Sequence, residues 1–216
     1  MILTWTRCKV PDGRRDEFIR TVAGAKQFSE LPGFCGQVGG WDLAHRDAAC
    51  LLRSWWDEYS YKLYVDNNDG SRDSEFTAFG NTIKVDVFHS ELQVSGESRQ
   101  FRDWIAKAKV LRVSDCLVKM EREQNFALAE IDVLAPGIQK AKGLYGCLFN
   151  RLIGTAPRYL VTTFWNSLDA HTEYLQEIFP KLASDANLAD ILTVLETTLV
   201  DLQPDWVSLP TPEPAR

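Results

Sequence analysis

Residues 2–10 alternate apolar and polar positions, with Leu3, Trp5 and Arg7 on one face and Ile2, Thr4, Thr6 and Cys8 on the other, which predicts a strand. Pro11-Asp12-Gly13 supplies a turn. Over residues 14–31 the apolar positions Phe18, Val22, Ala25 and Phe28 are spaced 4, 3 and 3 apart, one face of a helix. Pro32-Gly33 ends it, because proline disfavours helical geometry at Leu31. Strands over 34–41 and 48–56 follow, joined by the polar turn 42–47. A helix is predicted over 58–65, resuming around Phe76 to Phe79, and a last strand over 83–94. The order β-α-β-β-α-β predicts a ferredoxin-like α+β unit, helices packed on one face of an antiparallel sheet.

An amphipathic helix over 98–109 comes next, with Phe101, Trp104, Ile105 and Ala108 at i, i+3, i+4 and i+7 and Ser98 as the expected N-cap. The first pattern then restarts. Cys8 and Phe18 match Cys116 and Phe126 at an offset of 108; Gly33 and Gly36 match Gly143 and Gly146 at 110; Trp56 matches Trp165 at 109. Such drift is what a duplicated fold with small insertions shows. The gain falls in the helix 123–142, where Pro136-Gly137 interrupts the periodicity and predicts a bend. The second unit continues with strands over 144–153 and 158–165, a helix over 168–183, a strand over 192–202 and a short closing strand over 204–209. The expected organisation is a first unit over 1–95, a linker helix over 96–110, a second unit over 111–209 and a disordered tail from 210. A single unit leaves one sheet face bare, so the two are expected to bury these faces together as an intramolecular, pseudo-dimeric α/β barrel.

A net charge of −6 and a pI near 5.2 lack the basic stripe a nucleic-acid surface needs. No apolar run is long enough to span a membrane and no signal peptide is evident, so the expected location is cytoplasmic. Five cysteines without a CxxC pair read as reduced core thiols. The acidic loop 66–70 does not fit a calcium loop, whose first ligand would fall on Val65. No nucleophile triad, phosphate loop or metal cluster stands out, and no metal is expected.

The stretch PGFCGQVGGWDLAHRDAACLLRSWWDEYSYKLYV, with Gly33-Phe34-Cys35-Gly36-Gln37-Val38-Gly39-Gly40-Trp41 and Ser54-Trp55-Trp56-Asp57 at its centre, resembles the antibiotic-biosynthesis-monooxygenase-like family of dimeric α/β barrels, in particular small uncharacterised bacterial members. The second half resembles that superfamily more loosely. The resemblance implies a ligand pocket between the sheet and its helices, used by some members for cofactor-independent oxygenation of polycyclic phenols to quinones and by others for haem cleavage. It also implies that a strand-end tryptophan lines the pocket, at Trp56 and Trp165. Haem cleavage in the family uses a second-helix histidine and a first-strand asparagine. The matching strand positions are Thr6 and Ser114, and only His171 lies on a second helix.

The candidates are thus His171 and Asn166 for catalysis and Trp41, Trp56, Tyr59, Tyr64, Asn150, Arg151 and Trp165 for substrate binding. His171 has a side chain suited to proton transfer near neutral pH, or is an exposed first-turn residue. Asn150, Arg151 and Asn166 are polar groups where a carbonyl or phenolate could be anchored, or they begin turns; the tryptophans and tyrosines are pocket walls or core. The expected activity is monooxygenase-like, without a cofactor, on a small hydrophobic or aromatic molecule, in a monomer or homodimer with neither nucleic-acid nor membrane partner. The alternative is a non-catalytic ligand-binding protein on the same fold, with haem binding as a third reading.

Overall fold

The structure is a computed structural model that describes residues 1–67, 76, 79 and 83–211. The loop 66–70 and the tail from 210 therefore lie partly outside the described residues. Contacts divide the chain into two compact units, one of Met1–Val87 with Asp201–Arg216 and one of Phe88–Val200.

In the first unit β1 (Ile2–Lys9) pairs antiparallel with β3 (Ala48–Trp55), which pairs with β2 (Phe34–Asp42). α1 (Arg15–Gly24) tightens into a 3-10 turn over Ala25–Glu30, and α2 (Glu58–Asn67) follows β3. Phe18 sits at the centre of one core cluster with Phe76, Phe79, Trp41 and Trp206, its ring centroid 5.1–6.1 Å from theirs. The sequence-predicted closing strand 204–209 is instead a 3-10 turn at Pro204–Trp206 and a single bridge from Ser208 to Gln37, since Pro204 has no N–H for a ladder. Residues Ile83–Val87 of β4 (Ile83–Ser95) belong to this unit, and Phe88–Ser95 to the next.

In the second unit β5 (Val110–Val118) pairs with β7 (Arg158–Trp165), β7 with β6 (Leu144–Leu152), and β6 with β4. β8 (Leu192–Leu202) lies on the other side of β5. The order β8-β5-β7-β6 is ferredoxin-like, so the α+β class and the ferredoxin-like unit are as predicted. The helix on 98–109 is shorter than its periodicity suggests: α3 spans Phe101–Lys107, and Ser98 donates to the Asp103 side chain (2.9 Å) rather than capping a backbone N–H. Trp104 of α3 is fully buried and lies directly on the Cα of Gly146, at the bulge in β6 where a Cβ would come within 2.3 Å of the ring. Gly146→Ala is expected to lower stability by about 2–3 kcal/mol, since neither strand nor indole can give way. An unchanged urea-unfolding midpoint would contradict that packing.

The predicted bend at Pro136 is a π-turn. α4 (Glu123–Ala129) runs through a π-turn at Glu130–Leu134 into α5 (Ala135–Ile138), and α6 (Leu168–Glu173) through one at Tyr174–Ile178 into α7 (Phe179–Asp185). Each π-turn stands just before a proline, Pro136 or Pro180. Proline lacks an N–H and its ring presses on the carbonyl four residues back, so a widened turn keeps the helix continuous. The extra residue of the wider turn is one of the two by which the offset grows from 108 at Phe126 to 110 at Gly143.

Candidate functional site

The strand-end tryptophans are where register matters. Trp165 pairs with Val110 and Leu144, and the residue in the same register of the first unit, opposite Ile2 and Phe34, is Trp55. The true offset is 110, not 109, and one residue along a strand changes the face of the sheet. Trp55 is fully buried, whereas Trp56 is 74% exposed and edges only a surface depression with Leu31 and Pro210. Tyr59, 70% exposed, is likewise no wall of an internal pocket. Trp41 is core beside Phe18 and Trp206, with the Arg15 guanidinium 3.7 Å above its ring. Tyr64 is buried and accepts a hydrogen bond from Arg53 Nη1 (3.2 Å).

The second unit scatters the polar candidates. Asn150 is fully buried and donates to the Leu160 carbonyl at 2.7 Å; as the strand neighbour of the cavity-lining Phe149 it faces the opposite side of the sheet. Arg151 pairs near the surface with Glu123 (2.8 Å). Asn166 closes the start of the hairpin: its N–H donates to the Gly143 carbonyl and its Oδ1 accepts from Ser167 (3.0 Å). Only His171 and Trp165 are brought together, ring centroids 5.6 Å apart, with Tyr174 stacked against the tryptophan at 5.1 Å. His171 is buried, not an exposed first-turn residue, and its Nε2 has no hydrogen-bond partner among the described residues. Burial, and then the nearby Arg112 charge, push its pKa down to about 4, so it is neutral at physiological pH.

Between this sheet and its helices lies a cavity of about 40 Å³. Phe126, Phe149, Tyr174, Phe179 and several leucines make its walls, and Leu195, 42% exposed, stands at its rim. Both π-turns border it, through Leu134 and Tyr174. The alternation along β5 sends Arg112, Ser114 and Cys116 to this face. Arg112 is only 5% exposed, and among the described residues no carboxylate pairs with it. Its Nε and the Ser114 Oγ are buried without a hydrogen-bond partner among the described residues, and the Phe179 ring lies 5.1 Å from the guanidinium. A cation in apolar surroundings is costly, and burial lowers its pKa accordingly. Burial also raises the Tyr174 hydroxyl above the ordinary phenol range, with the Arg112 charge opposing. Cys116, another wall, is pushed up to about 12 by burial and is an inert thiol.

In the first unit the arginine of this row is paired. At the cross-strand pair that is Arg112 and Thr163 in the second unit, it carries Thr4 and Arg53: the arginine has changed strands. Arg53 Nε donates to Gln37 Oε1 (2.6 Å), and its guanidinium lies 4.5 Å over Phe28. At the register position of Gln37 the second unit has Cys147, which offers no such acceptor. Sequence reasoning passed over Arg112, although an arginine at an inward position of a strand with apolar neighbours was a readable signal.

A porphyrin does not fit this 40 Å³ cavity, and His171 is not among the residues that line it. Among the described residues no group of histidine, cysteine and acidic side chains could hold a metal ion, and no helix is long and apolar enough to cross a membrane.

Residues 2–88 match the family described as "Domain of unknown function (DUF4937)". No curated protein matches the chain. Among solved structures, a putative monooxygenase from Lactobacillus acidophilus superposes with a TM-score of 0.72 at 13% identity, covering 96% of this chain and 95% of that one. An anthrone oxidase-like protein superposes at 0.70 and 7% identity, with 94% and 91% covered. A ferredoxin-fold protein from Listeria monocytogenes related to antibiotic biosynthesis monooxygenases superposes at 0.51 and 8% identity, with 97% and 95% covered. In fold, then, this chain is similar to these solved structures, a ferredoxin-fold protein related to antibiotic biosynthesis monooxygenases among them, and its residues 2–88 match the domain of unknown function.

Proposed function

We propose that the chain is a cofactor-independent, monooxygenase-like enzyme acting on a small hydrophobic or aromatic compound, and that the reaction site is the cavity of the second unit. The observation that carries this reading is an aromatic-walled space between sheet and helices on which Arg112, Ser114 and Tyr174 converge. A phenol or enol bound there would ionise more readily beside the guanidinium, and its anion is electron-rich enough to react with dioxygen directly. For a substrate whose reactive carbon is a CH₂ group, one oxygen atom becomes the new carbonyl and the other leaves as water, taking both hydrogens. The walls must move outward to admit a ring, and Phe179 and Leu195 are the ones nearest solvent.

Oxygen uptake with anthrone and a panel of smaller phenols, in buffer treated with chelator, tests the reading. Turnover that is lost on filling the cavity with Phe149→Trp supports it. Binding of the same compounds without oxygen uptake would instead establish the non-catalytic ligand-binding protein.

A further inference from the structure

We infer that the cavity of the second unit selects a small hydrophobic molecule bearing a single negative charge, a carboxylate or a phenolate, and that Arg112 is its counter-ion. This rests on the reading of that cavity as the ligand site and adds the class of ligand. Three observations carry it. Arg112 is buried and aimed into an apolar cavity with no carboxylate paired to it and its Nε unpartnered, so a folded chain without ligand holds an uncompensated cation. The Ser114 Oγ on the same wall is also without a partner, which supplies a second hydrogen-bonding group at the place where an anionic oxygen would sit. The first unit shows how this fold accommodates a structural arginine: Arg53 donates to Gln37 and Tyr64 and stacks over Phe28, whereas the second unit has Cys147 in place of that glutamine.

The same comparison sets the two arginines apart: Arg53 is already held by Gln37 and Tyr64, so Arg112 is the one left for a ligand. Aromatic walls and a lone guanidinium favour a flat anion with an apolar body over an inorganic one. The other place where basic side chains gather is a surface cleft of the first unit lined by Arg7, Lys9, His45 and Lys84, where Lys9 already pairs with Asp47 and Lys84 with Asp86.

Titration calorimetry of the full chain with benzoate, 4-nitrophenolate and propionate, and with benzyl alcohol as the neutral counterpart of benzoate, tests the inference. One site per chain is expected for at least one anion, with benzyl alcohol weaker by about 30-fold or more, the loss that follows when a buried charge goes unpaired. Arg112→Met should remove the preference for the anion, while Lys84→Gln, in the surface cleft, should leave it unchanged. A preference for benzoate over 4-nitrophenolate identifies a carboxylate, and the reverse a phenolate. Equal binding of benzyl alcohol, anion binding that survives Arg112→Met in a folded variant, binding lost in Lys84→Gln, or no binding of any anion at millimolar concentration would each overturn the inference. Arg112-dependent binding without oxygen uptake would leave it standing and sink the oxygenase reading. Oxygen uptake indifferent to Arg112→Met would do the opposite.

Discussion

Arg112→Met is expected to make the ligand-free chain more stable, by on the order of 2 kcal/mol, while Arg53→Met makes it less stable by about 3 kcal/mol. The two arginines are both buried, at 5% and 1% exposure, and occupy opposite members of the same cross-strand pair, so burial alone does not separate them. Hydrogen bonding does. Arg112 spends several kcal/mol on desolvation and recovers about 1 kcal/mol from the Phe179 ring, so a methionine of similar length relieves more than it loses. Removing Arg53 takes away the 2.6 Å bond to Gln37 Oε1 and the contact with Tyr64, and strands buried polar atoms. Urea unfolding at neutral pH checks both signs. If Arg112→Met fell as far as Arg53→Met, Arg112 would be held by the fold rather than kept for a ligand.

The second large effect is a pH dependence set by two buried groups of the second unit. Glu130, in the first π-turn, is buried with Oε1 unpartnered, and burial, with the charge of Glu91 added, raises its pKa from 4.5 to about 8. The folded state therefore holds a proton the unfolded chain releases. This contribution is fully present below pH 4.5 and is lost as pH rises towards 8, on the order of 5 kcal/mol over that range. His171 works in the other direction, because its folded pKa near 4 lies below the ordinary 6.5; its contribution is present above 6.5 and lost as pH falls. The two slopes cancel between about 4.5 and 6.5, so stability should be level there and decline from 6.5 to about 8. Glu130→Gln should abolish the decline and raise stability at pH 8. A wild-type chain whose unfolding midpoint is flat from pH 6.5 to 8 would show that Glu130 ionises without cost.

Much of the fold was legible because it depends on local period. Alternation along residues 2–9 and the spacing of Phe18 and Val22 fix strand and helix without reference to anything distant, and Gly33 and Gly143, both at positive φ, mark the same turn in each unit. Trp165 was legible as a strand-end tryptophan for the same reason, but it is a core residue and is not among those that line the cavity. Trp56 was mistaken for its counterpart because two adjacent tryptophans give an offset no sequence spacing can resolve to one residue. Only the pairing of Trp55 with Ile2 and Phe34 settles which one turns inward. Tyr59, Asn150, Arg151 and Asn166 were chosen for their chemistry, and the structure gives them to the surface, the opposite sheet face, a surface ion pair and a turn.

The residues alone carried the α+β class, the element order apart from the closing segment 204–209, and the interruption at Pro136. Tertiary structure decided that the break is a π-turn, that the second unit keeps a cavity between sheet and helices, and that Arg53 is paired while the Arg112 Nε is not. The physical reason is range. A helix or strand is set by neighbours a few residues away, but whether a guanidinium is satisfied depends on acceptors carried by other elements: Gln37 and Tyr64 reach Arg53, and no such bond reaches the Arg112 Nε.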